Sequence, residues 1–258
     1  CDVNLPSLIR NLEGDVASVV IWLEANFMIL NPDKCHFLLD GPKNLVEQLY
    51  IEVGDQVIWE SLQERLLGVP IDKKLEFKKN LNDICKKASG KLTALTRLAK
   101  IMPFDKKRLL MNSFVQSQFS YCPLLWMFCS REMNNKINSI HKRALRIVYL
   151  DYASSFQELL KKDKSVTIHQ RNIQLVAIEM FKVVKRIGPD IMRDLFVFDL
   201  NTKSNKIFHR PNVNSVYNGE NSVRYFGPIV WDIMLPARFK SISPFHALCA
   251  RNMSLGWD

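Results

Sequence analysis

Lysine dominates the chemistry available to this chain. Between Lys73 and Arg108, twelve basic residues face only Glu76, Asp83 and Asp105, so that short stretch holds nearly all of the net charge of +10. Cationic groups concentrated in this way point to a polyanion as partner, held by phosphate contacts that ignore sequence and weaken with salt. Lys78, Lys79, Lys86, Lys87 and Lys91 form the centre of the run, and His141 to Arg146 (HKRALR) is a second, smaller basic cluster. One lysine stands apart. Lys34 lies between the turn Asn31-Pro32-Asp33 and an apolar run that begins at Cys35; on residues alone it reads as a solvated turn lysine.

Other chemistries find less support. The six cysteines, Cys1, Cys35, Cys85, Cys122, Cys129 and Cys249, never form a C-x-x-C pair, which argues against a zinc ribbon and a secreted disulfide framework. His36, His141, His169, His209 and His246 show no metal-ligand spacing with one another or with cysteine. Asp15, Asp33, Asp40, Asp55 and Asp72 are isolated carboxylates. No apolar run reaches the roughly 20 residues that span a bilayer, and no basic segment followed by an apolar one marks a signal peptide. An intracellular protein of the nucleus or cytoplasm, not secreted and without a membrane partner, is the expectation. The start at Cys1, close to a helix, suggests a piece of a longer chain.

The elements that must position these residues follow from periodicity. Leu5, Leu8, Ile9, Leu12, Val16, Val19, Val20 and Leu23 recur at spacings of three and four, predicting a helix over 5–28 with one face against a sheet. Asn4 is its candidate cap. Cys35 to Leu39 reads as a buried strand ending at Asp40-Gly41-Pro42. LYIEV and QVIWE flank Gly54-Asp55, a hairpin turn, and ERLLGVPID supplies another short strand ending near Asp72. Phe77, Leu81, Ile84, Ala88, Leu92 and Leu95 then stripe a basic helix that Pro103 ends. Asp105 is placed to cap the next helix, and a third runs from Arg131 to Tyr149. Further helices are expected near 167–186 and 189–196, with an irregular loop near 199–221. The aromatic residues Phe119, Tyr121, Trp126 and Trp231 read as core. The fold class is therefore α+β over 1–72, a basic helical bundle over 73–150, and a helical region over 151–258.

The order of these elements resembles the reverse transcriptase of non-LTR (LINE-like) retrotransposons of the Jockey kind. The resemblance is carried by L-N-P-D-K-C at 30–35, L-L-G-V-x-I-D at 66–72, the basic bundle with SQFSYCPLLW at 117–126, and SVRYFGPIVWDIMLP at 222–236. It implies that residues 1–72 are the end of a palm, 73–150 a thumb, and the remainder the region downstream. Lys34 would then contact the β/γ-phosphates of the incoming nucleotide and stabilise the leaving pyrophosphate. Leu67, Gly68 and Val69 would form a primer grip, in which a tight turn lets backbone approach the primer end. Lys78, Lys79, Lys86, Lys87 and Lys91 would track the phosphates of an RNA/DNA template-primer duplex.

The same resemblance identifies an absence. Nucleotidyl transfer in such enzymes uses two divalent ions held by carboxylates, among them the pair of a Tyr/Phe-x-Asp-Asp hairpin. No such hairpin occurs in this sequence. Magnesium is implied for the complete parent enzyme and no cofactor for this fragment, which is expected to be inactive alone. A non-catalytic nucleic-acid-binding helical module, or a non-functional transposon remnant, are the other readings.

Overall fold

The computed structural model describes residues 4–39, 48–54, 56–198, 207–213 and 219–234. The chain divides into two compact units, residues 1–80 and 81–258. Mixed α and β structure is present, mostly helical, with small antiparallel sheets.

The first unit opens with α1, Leu5–Ala25. Ile9, Leu12, Val16 and Val20, spaced to share a face, pack on Ile51, Val53 and Ile58. These three belong to the hairpin β1 (Tyr50–Val53) and β2 (Gln56–Trp59), in register from Tyr50 opposite Trp59 to Val53 opposite Gln56. The expected helix-on-sheet packing is present, but it covers one narrow stripe. Val19, Ile21 and Trp22 stay more than half exposed. Asn4 occupies the cap position with its side chain making no cap bond. Phe27 (φ 58) closes the helix in the left-handed region, with Met28 N–H donating to the Leu23 carbonyl at 2.9 Å. Gly54 (φ 61) fits the predicted hairpin turn; its partner Asp55 lies outside the described residues, as do Cys1 and Asp40-Gly41-Pro42.

Two strand expectations need correction. Residues 35–39 join no ladder; Phe37 packs on the Ile51 cluster, and its carbonyl accepts from Ser61 N–H at 3.0 Å. An apolar run signals burial, not backbone pairing, and here the burial too is partial: Cys35, Phe37, Leu38 and Leu39 are partly buried and His36 is exposed. ERLLGVPID is not one strand but a second hairpin, β3 (Gln63–Leu66) with β4 (Val69–Asp72). Its two-residue turn has Leu67 at φ 48 and Gly68 at φ 85, both positive as a type I′ turn requires.

The second unit contains most of α2, Lys78–Leu98, whose residues Leu81, Cys85, Ala88, Leu92 and Leu95 are all buried. Helix α2 stops at Leu98, before Pro103, which sits at the cap of α3 (Phe104–Leu110). Asp105 lies in the first turn of α3 rather than at its cap. The chain continues through a π-helical turn (Met111–Val115) and a 3-10 turn (Gln116–Phe119) into α4, Pro123–Trp126. Helix α5 runs from Arg131 to Tyr149, as the periodicity predicts, and the Ser130 side chain caps it.

Helix α6 (Phe156–Asp163) begins with a reciprocal Ser155–Glu158 capping box that the hydrophobic pattern alone did not reveal. A Thr167–Gln170 box opens α7, Ile168–Lys185. After α8 (Asp190–Asp194), a two-residue pair, β5 (Val197–Phe198) with β6 (Phe208–His209), and α9 (Val223–Met234) complete the unit. Phe181, Phe196, Phe208, Val230 and Trp231 share its core. Gly227 in α9 permits this packing, because a Cβ there would meet Met180 Sδ at 2.5 Å. Phe119 and Trp126 are also buried as expected, whereas Tyr121 is exposed. Most of the expected 199–221 loop, together with His246 and Cys249, lies outside the described residues.

Candidate nucleic-acid interface

Helix geometry decides which lysines can act together. At roughly 100° per residue, Lys86, Gly90, Thr93 and Arg97 (spacings of four, three and four) align along the side of α2 opposite its buried stripe. All four are exposed. Lys87 and Lys91, one turn apart and also exposed, form a flanking row. At 1.5 Å of rise per residue, Lys86 and Arg97 are about 16 Å apart along the axis. Gly90 sits between them with nothing within 4 Å of the place a Cβ would take, so the backbone itself is open to a ligand there. Lys136 Nζ donates to Asn82 Oδ1 at 2.8 Å, tying α5 to the start of the helix.

Lys78 and Lys79 are exposed as well, but they fall in the first unit. Lys79 Nζ donates to Gln63 Oε1 at 3.0 Å on β3. The approach to α2 is fixed by Asp72. Its Oδ1 accepts from Lys74 N–H at 3.0 Å and Glu76 N–H at 3.2 Å, and its Oδ2 from Phe77 N–H at 3.2 Å. One carboxylate thus holds a turn containing two left-handed residues, Leu75 (φ 53) and Phe77 (φ 50). No sequence pattern announced that role.

Part of the basic run serves the fold instead. Lys107 is 6% exposed. Arg108 Nε lies 3.3 Å from Asp163 Oδ1, and its guanidinium also donates to the Asp163 carbonyl at 3.3 Å. The HKRALR cluster divides similarly. His141 is buried, with Gln116 Nε2 donating to its Nε2 at 3.4 Å and Phe156 packed edge-on at 5.5 Å. Burial pushes its pKa down to about 4, opposed by the carboxylate of Asp163 and assisted by the charge of Arg171. A buried neutral imidazole offers nothing to a phosphate; Arg143 is the exposed member of the cluster.

Lys34 ends a 3-10 turn, Pro32–Lys34, in which Asn31 Oδ1 accepts from Asp33 N–H at 3.0 Å. Exposed, it stands at the edge of a cavity of about 410 Å³ between α1 and the β1–β2 hairpin. Asp15 shares that edge, and the remaining walls are mainly apolar. Of the primer-grip residues, Leu67 is 83% exposed, Gly68 sits in open space and Val69 is buried. The turn therefore presents an apolar side chain and bare backbone together.

Asp72 is committed to the turn before α2, and among the described residues no three His, Cys, Asp or Glu side chains cluster as metal ligands. No helix among them is long and apolar enough to cross a membrane. Neither family models, curated proteins nor solved structures yield a match to this chain.

Proposed function

We propose that this chain is the nucleic-acid-holding part of an RNA-directed DNA polymerase of the non-LTR retrotransposon type, comprising the end of the palm, the thumb and a downstream helical region. The observation that carries the reading is the exposed line Lys86, Gly90, Thr93 and Arg97 on α2, flanked by Lys87 and Lys91. Such a surface suits the phosphates of a template-primer duplex, with no information about its sequence. The order of motifs supports the polymerase context. L-N-P-D-K-C precedes a hairpin, the L-L-G-V turn follows, and the basic helix comes next.

In that context the Leu67-Gly68 tip would meet the primer end, and Lys34 would meet the triphosphate. No catalytic step is derived through magnesium: among the described residues no three His, Cys, Asp or Glu side chains cluster to hold it. The deciding experiment reads the transcript upstream of the Cys1 codon. A continuous frame encoding a Tyr/Phe-x-Asp-Asp hairpin is the expected result. An unrelated frame would leave the second reading, a non-catalytic module that binds duplexes through the same helix.

A further inference from the structure

We infer that a small cavity in the second unit, walled by α5, α7 and the connection between α6 and α7, binds one doubly charged phosphate group. The phosphate is either inorganic or the phosphomonoester end of a nucleic-acid strand; only the strand source rests on the polymerase reading above.

The cavity encloses about 240 Å³, below the usual range for a whole small-molecule ligand and sufficient for a single oxyanion. Gln116 reaches it from the 3-10 turn, His141 from α5, Lys164 and Ser165 from the α6–α7 connection, and Arg171 and Gln174 from α7. Two cations therefore share a small space with side chains that can hydrogen-bond, and among the described residues no acid lines it. Asp163, next to Lys164 in sequence, does not line it and is shared by Arg108 and Tyr149. His141 contributes a neutral wall, because its burial disfavours the charged ring.

Arg171 is the residue that calls for an anion. It is partly buried, and its Nη2 donates to two neutral acceptors, the Phe119 carbonyl at 3.4 Å and the Ser120 hydroxyl at 3.3 Å. Those bonds tether the guanidinium to the 3-10 turn. A guanidinium carries five N–H donors, and those on Nε and Nη1 have no partner among the described residues. Desolvation alone shifts the Arg171 pKa, downward, with no carboxylate opposing it. A charge withdrawn from water without a counter-charge is costly, and a bound anion removes that cost. Lys164, exposed and in no ion pair among the described residues, adds the second charge. The guanidinium fork suits two oxygens of a tetrahedral anion, and the ammonium acts as a point charge beside it. Two cations without an acid match a dianion, which favours inorganic phosphate or a phosphomonoester over a carboxylate or a singly charged phosphodiester.

The test is equilibrium dialysis of the nuclease-treated full chain against labelled inorganic phosphate at low salt, with sulfate and acetate as competitors. One phosphate should bind per chain, displaced by sulfate and not by acetate. Arg171→Gln should weaken it by at least about tenfold, as expected when hydrogen bonds to a charged group are lost. Lys164→Gln, at an exposed position where folding is not at risk, should weaken it several-fold. Phosphate should also raise the melting temperature of the wild-type chain and not that of Arg171→Gln. The Lys86→Gln/Lys87→Gln/Lys91→Gln variant should retain the site, so failure of the duplex interface is read separately. On that variant, displacement of phosphate by a terminally phosphorylated oligonucleotide and not by its unphosphorylated counterpart would assign the site to a strand end. Displacement by neither would assign it to the free ion. The absence of saturable phosphate binding, acetate competing as well as sulfate, displacement by both oligonucleotides alike, or an Arg171→Gln variant that folds and binds as before would each overturn the proposal.

Discussion

Arg108 Nε and Asp163 Oδ1 stand 3.3 Å apart, joining α3 to the end of α6 through a carboxylate whose side chain is only 4% exposed. The Tyr149 hydroxyl donates to the same oxygen at 2.9 Å, so three helices meet on one acidic residue. Desolvation first, and then the bond to Asp163, pushes the Tyr149 phenol up to about 12. The C-terminal end of the basic run is thus anchored in the fold, and α2 carries the face left for a ligand.

Asp163→Ala should accordingly destabilise the second unit by about 2–3 kcal/mol, because it removes the buried carboxylate that the partly buried Tyr149 hydroxyl and the half-exposed Arg108 share. Chemical denaturation measures the loss. Duplex affinity of the folded fraction should not change, which separates a structural residue from a binding one.

His141 makes stability depend on pH. Its folded pKa of about 4 lies below the ordinary value of 6.5, so between those limits the unfolded chain binds a proton that the folded chain refuses. The stability due to neutral His141 is complete above pH 6.5 and falls as the pH drops toward 4, by about 3 kcal/mol in all. Urea melts at pH 7.5, 6, 5 and 4.5 should show that decline, and His141→Gln should flatten it.

Gly90 sets stability against binding. Alanine there meets no atom and removes backbone freedom from an exposed helix interior, so Gly90→Ala should raise stability by about 0.5–1 kcal/mol. If a phosphate backbone lies against this spot, the same variant should bind duplex several-fold more weakly. Thermal melts and a binding titration on one preparation read both effects.

The hairpin tip should behave similarly. Leu67 adopts a left-handed conformation that suits asparagine better, and its side chain is exposed. Leu67→Asn should stabilise the first unit by about 1 kcal/mol. Joined to a complete palm, it should lower primer extension.

What the sequence made legible follows from how each element is encoded. Helices α1, α2, α5 and α7 carry long apolar stripes, and those are read well because periodicity accumulates over many residues. Residues 35–39 misled because a short, mainly apolar run fixes neither a backbone partner nor how deeply it lies, and here it is only partly buried. In the L-L-G-V run the strand pattern missed a turn that the resemblance implied around Gly68, because leucine, a poor candidate for positive φ, takes a place usually given to asparagine. The basic run was visible as charge, yet the Arg108–Asp163 pair and the surroundings of the buried His141 depend on residues 15 to 55 positions away.

The most direct test of the central claim is the salt dependence of duplex binding by the nuclease-treated chain and by its Lys86→Gln/Lys87→Gln/Lys91→Gln variant. Each lost phosphate contact reduces the slope of log K against log salt by about 0.9, so the variant's slope should be shallower by roughly 2–3. Equal slopes for the two proteins, or no duplex binding by the wild-type chain at low salt, would contradict the assignment of α2 as the nucleic-acid face.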